Sequence, residues 1–221
     1  KKILVSIILY FFLSVNTFGH LQHYAKVNYL EYDLFRNNDL IGSHKYNFER
    51  EGDNLTIIST VNFKISKFGV DLYKYFAEST ENYEKNNFKS FDSTTMQNKK
   101  NKYIKISLNL DKTKLKIDGS SYKGEADLNY MVGTWWNHEI VKAKAQISAI
   151  SGRIIEQKVN FLRKKQIELN GKTYDALHFK FLSSDETLPD NKKLNTDIWY
   201  DAETLIWLKA QFIKQGNWEY R

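Results

Sequence analysis

The 221-residue chain contains no cysteine, a single proline and two methionines. Without cysteine, neither disulfides nor thiolate metal sites hold the fold, and no lipid-modified cysteine can anchor it. One proline and ten glycines exclude a Pro/Gly-rich linker or a disordered repeat. Common catalytic signatures are missing too: there is no Gly-x-Ser-x-Gly elbow, phosphate loop, dinucleotide-binding glycine pattern or His-Glu-x-x-His. Beyond residue 15, no apolar run approaches the roughly 20 residues that a membrane-spanning helix needs.

The one apolar run lies at the start. Lys1-Lys2 precede Ile3 to Val15, where Ser6 and Ser14 are the polar interruptions, and the small residues Thr17 and Gly19 follow. This layout predicts a signal peptide over residues 1–19, cleaved near Gly19, and hence a periplasmic protein. An uncleaved anchor is the alternative. Residues 20–221 then form a single β-rich domain of ordinary size.

Aromatic residues are plentiful, with 14 Phe, 14 Tyr and 5 Trp. Each can bury on the order of 150–250 Å² and so supply a conventional core. The formal charge is +7, and loss of Lys1 and Lys2 leaves +5. The basic residues cluster at Lys99-Lys100-Asn101-Lys102, Arg163-Lys164-Lys165 and Lys192-Lys193, between strand-like segments. Such clusters read as solvated turns and edges, or as attraction to an anionic membrane surface. Nucleic acid is not an expected partner, because no stacked-aromatic binding motif is present.

Period-two alternation runs through the chain. Leu55, Ile57, Val61, Phe63 and Ile65 are apolar, while Thr56, Thr60, Asn62 and Lys64 are polar, as in a half-buried antiparallel strand. Turn clusters at 36–39, 51–54 and 85–87 separate strands over 24–35, 40–50, 55–67 and 70–83. Strands over 88–97, 103–110 and 114–118 follow, then 153–162, 165–169 and 174–182, and three more at the end. Asn170-Gly171 is a strong hairpin signal. Only residues 136–146 and 184–193 look like short helical or irregular insertions. The expectation is an all-β fold: a single antiparallel β-barrel or β-roll of about 10–12 strands, with one short helix after Trp135-Trp136-Asn137.

Several stretches resemble one family. "IGSHKYNF" (41–48), "LYKYFAESTENY" (72–83), the Trp135–Asn137 segment with Ser151-Gly152, and the closing "DIWYDAETLIWLKAQF" and "GNWEYR" are similar to exported proteobacterial proteins catalogued as domain of unknown function 6134. Ala77-Glu78 depart from that pattern, standing where a basic residue or histidine is commoner. The resemblance covers nearly all of residues 20–221. It implies an exported, β-rich, roll or lipocalin-like protein of Gram-negative bacteria and assigns no activity.

Candidate site residues come from the polar groups placed among aromatics. Adjacent strand residues face opposite ways, so Trp135 and Trp136 cannot both enter one core. Asn137 is suited to cap the following helix. His44 shares a face with Tyr46 and Phe48 and should point inward, towards Tyr73, Tyr75, Glu78 or Glu81. Trp199 is a further ligand-lining candidate, and Trp207 is expected in the core. A four-residue loop at 201–204 would set Trp199 opposite Ile206. Together His44, Tyr73, Tyr75, Glu78, Glu81, Trp135, Trp136, Asn137 and Trp199 predict a ligand-binding interior, with Trp136, Asn137, His44 and Tyr73 at its entrance. No catalytic set is assigned. His20 and His23 lack a third ligand at helical spacing, so no metal site and no cofactor are expected.

Three readings stand at this point. The first is a barrel binding a lipid or other amphipathic molecule in an aromatic interior. The second is an envelope scaffold with a filled core. The third is an enzyme using His44 with a nearby glutamate.

Overall fold

A computed structural model describes residues 23–221, so the predicted signal peptide and His20 lie outside the described residues. In chain order the first strands are β1 (Tyr29–Arg36), β2 (Asp39–Glu51), β3 (Asn54–Lys67), β4 (Val70–Glu84) and β5 (Asn87–Gln97). Next come β6 (Lys100–Leu108), β7 (Lys114–Gly119), β8 (Lys123–Asp127), β9 (Tyr130–Val132) and β10 (Ala145–Ile147). The last are β11 (Ile154–Leu169), β12 (Lys172–Ser183), β13 (Asn195–Asp201), β14 (Trp207–Ile213) and β15 (Asn217–Tyr220). All belong to one sheet in the order β8-β7-β6-β5-β4-β3-β2-β1-β15-β14-β13-β12-β11-β10-β9.

Pairing of β1 with β15 joins the first and last described strands, and the sheet curls into a nearly closed barrel. Its free edges, β8 and β9, are consecutive in sequence. Their seam is packed by apolar residues from both sides, among them Ile117 and Ala126 against Val132 and Ile147. Gly119 is needed there, because a Cβ would lie 2.5 Å from the Ser151 carbonyl oxygen. The same carbonyl accepts the Ser121 N–H at 2.8 Å.

The long strands follow from local sequence. Their hairpins use paired positive-φ residues, Asn37-Asn38, Phe68-Gly69, Lys85-Asn86 and Asn170-Gly171, whose twist suits a two-residue connection. The strand count exceeds the expectation because β8, β9 and β10 are short, the last two having three residues each. Three residues are too few to display a period. Residues 153–162 and 165–169 merge into β11, with an irregularity between Phe161 and Arg163. The expected helix contracts to a 3₁₀ turn at His138–Lys142, because Ala145–Ile147 pairs with β11 and with β9.

The barrel has two ends. The turns at 37–38, 68–69, 98–99 and 214–216 lie at the upper end, and those at 52–53, 85–86, 170–171 and 201–206 at the lower.

Candidate functional site

The parallel pair β9 and β10 requires a crossover, and residues 133–144 provide it by running back through the inside of the barrel. Three inward tyrosines hold this segment. Tyr46 donates to the Thr134 carbonyl at 2.6 Å, Tyr200 to that of Trp135 at 2.9 Å, and Tyr24 to that of Trp136. Asn137 caps the 3₁₀ turn by accepting the Glu139 N–H at 3.1 Å. These hydroxyls, from three separated parts of the chain, bind three consecutive buried carbonyls, of which that of Thr134 also accepts the Trp136 N–H at 2.9 Å.

Trp136 is the centre of this plug, with no exposed surface. Its indole N–H donates to Glu81 Oε2 at 2.9 Å, and Tyr83 donates to Glu81 Oε1 at 2.5 Å. Burial pushes the Glu81 carboxyl above the ordinary range, while bonds from Tyr83, Trp136 and Thr134 oppose the shift. Trp135 turns the other way from a left-handed backbone, φ +61°, and its ring lies 5.8 Å from Trp207 and 5.9 Å from Tyr220. The two tryptophans do diverge, but both stay inside the barrel.

The upper half is lined differently. Odd residues of β4 face inward, so Tyr73 and Tyr75 flank Phe63, at 5.9 Å and 4.7 Å. Phe63 meets Trp218 at 5.3 Å, and Trp218 stacks on Phe212 at 5.8 Å. His44 lies between the halves, 4.3 Å from the Tyr46 ring, with Nε2 2.7 Å from Ser59 Oγ. Its Nδ1 is buried without a partner, and burial drives the imidazole pKa down to about 3. The inward residues His44, Val61, Tyr75, Ser79 and Tyr220 keep part of their surface accessible, whereas Ile57, Glu81, Tyr83 and Trp136 are buried. The lower lumen is therefore densely filled, while in the upper half partly buried inward residues alternate with the buried Leu34, Phe63, Ala77 and Thr95.

The upper opening is electropositive. Lys102 enters from β6, Arg153 from the residue before β11 and Lys214 from the turn after β14. In the sheet order, β6 and β14 stand on opposite walls. Burial lowers the Lys214 pKa first, and the charges of Arg153 and Lys102 add to this. Arg153 is steadied by the Lys192 carbonyl at 3.1 Å.

Several predicted residues fall elsewhere. Glu78 is exposed on the outer wall, because even residues of β4 point away from the lumen. Trp199 also faces outward, stacked on His178 at 4.2 Å, with the Lys165 and Lys209 ammonium groups 5.5 and 5.6 Å from its ring. A register shift puts Trp199 opposite Lys209 and Tyr200 opposite Trp207, correcting the pairing with Ile206. His44 and Glu81 have separate partners and form no acid–base pair. The expected entrance does not form either. Tyr73 and Glu81 are eight residues apart on one strand, about 26 Å, so Tyr73 lies near the upper turns and Trp136 in the lower plug. His23 packs its ring 5.2 Å from that of His138, and among the described residues no group of three His, Cys, Asp or Glu could hold a metal. A surface groove of about 1080 Å³ at the lower end, bordered by Asp175, Asp201 and Glu203, includes none of the predicted ligand-binding residues. Sequence reasoning missed Tyr24, Tyr46 and Tyr200 as the clamp. The inward face of Tyr46 was legible; its acceptor, 88 residues away, was not.

An all-antiparallel wall but for one parallel pair, nearly closed around an aromatic interior, defines a β-barrel-like protein. The chain belongs to the family described as a domain of unknown function (DUF6134), whose model matches residues 32–221. No curated protein matches it. Among solved structures, it is similar to the beta-barrel-like protein of domain of unknown function DUF1849 from Brucella abortus. That likeness has a TM-score of 0.61 at 11% identity, covering 87% of this chain and 94% of the other. At such identity it shows the fold alone.

Proposed function

We propose that this protein is an exported barrel that binds an amphipathic ligand, such as a lipid or lipid precursor, in the upper half of its lumen. The observation that carries this reading is the division of the interior. A plug clamped by three tyrosines fills the lower half, while Tyr75, Ser79, His44 and Tyr220 are only half-buried in the upper half. Ligand sites are mostly apolar with a few placed polar groups, and His44 and Ser79 are such groups here. Lys102, Arg153 and Lys214 at the mouth favour a ligand whose polar end is anionic.

The test is native mass spectrometry of the full chain purified from a bacterial periplasm, followed by titration with dodecanoate and dodecanol. A co-purified amphiphile, or saturable binding of either probe, supports the reading. A protein that carries nothing and binds neither probe is instead an envelope scaffold, the function that the filled lower half favours.

A further inference from the structure

The two ends of the barrel differ in charge and in what their turns expose. At the upper end, the hairpins β1–β2, β3–β4, β5–β6 and β14–β15 form one arc, because their eight strands are consecutive in the sheet. Residues 36–40, 66–74, 96–102 and 213–217 of this arc hold seven cations and two carboxylates. One of those two, Asp71, is already paired with Lys74 at 3.0 Å. The lower turns, residues 49–54, 84–87, 109–113, 127–129, 169–172 and 201–206, hold four cations and eight carboxylates. The formal charge is therefore +5 on the upper arc and −4 on the lower turns.

Apolar exposure follows the same polarity. Among the described residues eleven large hydrophobic side chains are exposed, and six of them stand on the upper arc: Leu40, Phe68, Val70, Leu72, Met96 and Ile213. Phe68 is 95% exposed and Ile213 80%, each at or beside a hairpin tip. A phenylalanine at a two-residue turn in a left-handed conformation gains nothing in packing there and costs backbone energy. The Lys67 ammonium lies 5.4 Å from its ring, so an aromatic and a cation share the tip.

We infer that this upper rim docks on an anionic lipid bilayer, with Phe68, Val70, Leu72 and Ile213 entering the interface and the surrounding lysines contacting headgroups. Apolar tips alone would suit many partners; the surplus of positive charge around them selects a negatively charged surface. The acidic lower end would be repelled by the same surface, which fixes the orientation of the barrel. The inference stands apart from the luminal ligand, since it requires only the outer rim.

The experiment is co-sedimentation of the purified protein with vesicles of phosphatidylcholine alone and of phosphatidylcholine with 30% phosphatidylglycerol. The protein should partition at least tenfold more strongly to the anionic vesicles, and 0.5 M NaCl should remove most of that preference. Phe68→Ser with Ile213→Ser should weaken anionic-vesicle binding about tenfold, and Lys99→Gln with Lys100→Gln should weaken it several-fold. Leu110→Ser, at a fully exposed apolar residue on the acidic end, should change nothing. Equal or absent partitioning to the two vesicle types, or an equal loss with Leu110→Ser, overturns the inference. So does self-association in the analytical ultracentrifuge without lipid, abolished by Phe68→Ser, which would assign the rim to a second copy.

Discussion

Trp136 Nε1 donates to Glu81 Oε2 across 2.9 Å, tying the crossover segment to the wall of β4 in the filled end of the barrel. Removing the carboxylate leaves two buried donors, the Trp136 indole and the Tyr83 hydroxyl, without their acceptor. Glu81→Ala should cost about 2–4 kcal/mol in urea unfolding. A loss under 1 kcal/mol would show that the plug does not depend on this contact.

Glu81 also predicts a pH effect. Burial raises its pKa in the folded state, so from the ordinary glutamate range upward the unfolded chain ionises first and stability falls. Glu81→Gln removes this dependence. The stability of the variant relative to the parent should therefore rise between pH 4 and pH 7, measured as the difference in urea midpoints at the two values.

His44 acts in the opposite range. Its folded pKa is depressed from 6.5 to about 3, so the unfolded chain takes up a proton that the folded one refuses. Stability contributed by neutral His44 is present above pH 6.5 and is lost as pH falls towards 3. His44→Gln should lessen acid destabilisation in that window, and the His44 NMR signals should stay constant from pH 8 to pH 5. A ring that titrates near 6.5 would refute the buried environment.

Trp207 and Trp136 are both core residues. Trp207 has 1% exposure, its ring lies 4.1 Å from that of Tyr32, and its carbonyl accepts the Tyr32 hydroxyl at 2.6 Å. Replacing either tryptophan by alanine should cost about 3–5 kcal/mol. A much smaller loss at Trp136 would restore it to the entrance that its sequence context suggested.

Blocking the lumen separates binding from folding. Ser79 points into the lumen and is half-buried, so on the proposed function Ser79→Phe should abolish dodecanoate binding, read by tryptophan fluorescence, with urea stability largely kept. Unchanged dodecanoate affinity would place the ligand elsewhere.

Local chemistry was enough to write most of the wall. The alternation of Leu55, Ile57, Val61 and Phe63 sets which face of β3 is buried, and residues that accept positive φ, such as Asn170-Gly171, set where strands reverse. Both depend on neighbours a few positions away, so the sequence by itself determined the all-β class, the long hairpins, the Asn137 cap and the inward direction of His44. The tertiary structure alone decided where these parts meet. Pairing of β1 with β15 joins strands from opposite ends of the described chain into one continuous sheet, and the three-residue strands β9 and β10 exist because a wall is there to receive them. Glu81 finds Trp136 from 55 residues away, and Tyr24 reaches the Trp136 carbonyl from 112. Trp199 and Tyr200 are adjacent aromatics of similar burial, yet one faces out and the other in, as the register of β13 against β12 and β14 dictates. Such contacts are fixed by the curvature and stagger of the closed sheet, which no single stretch of sequence carries.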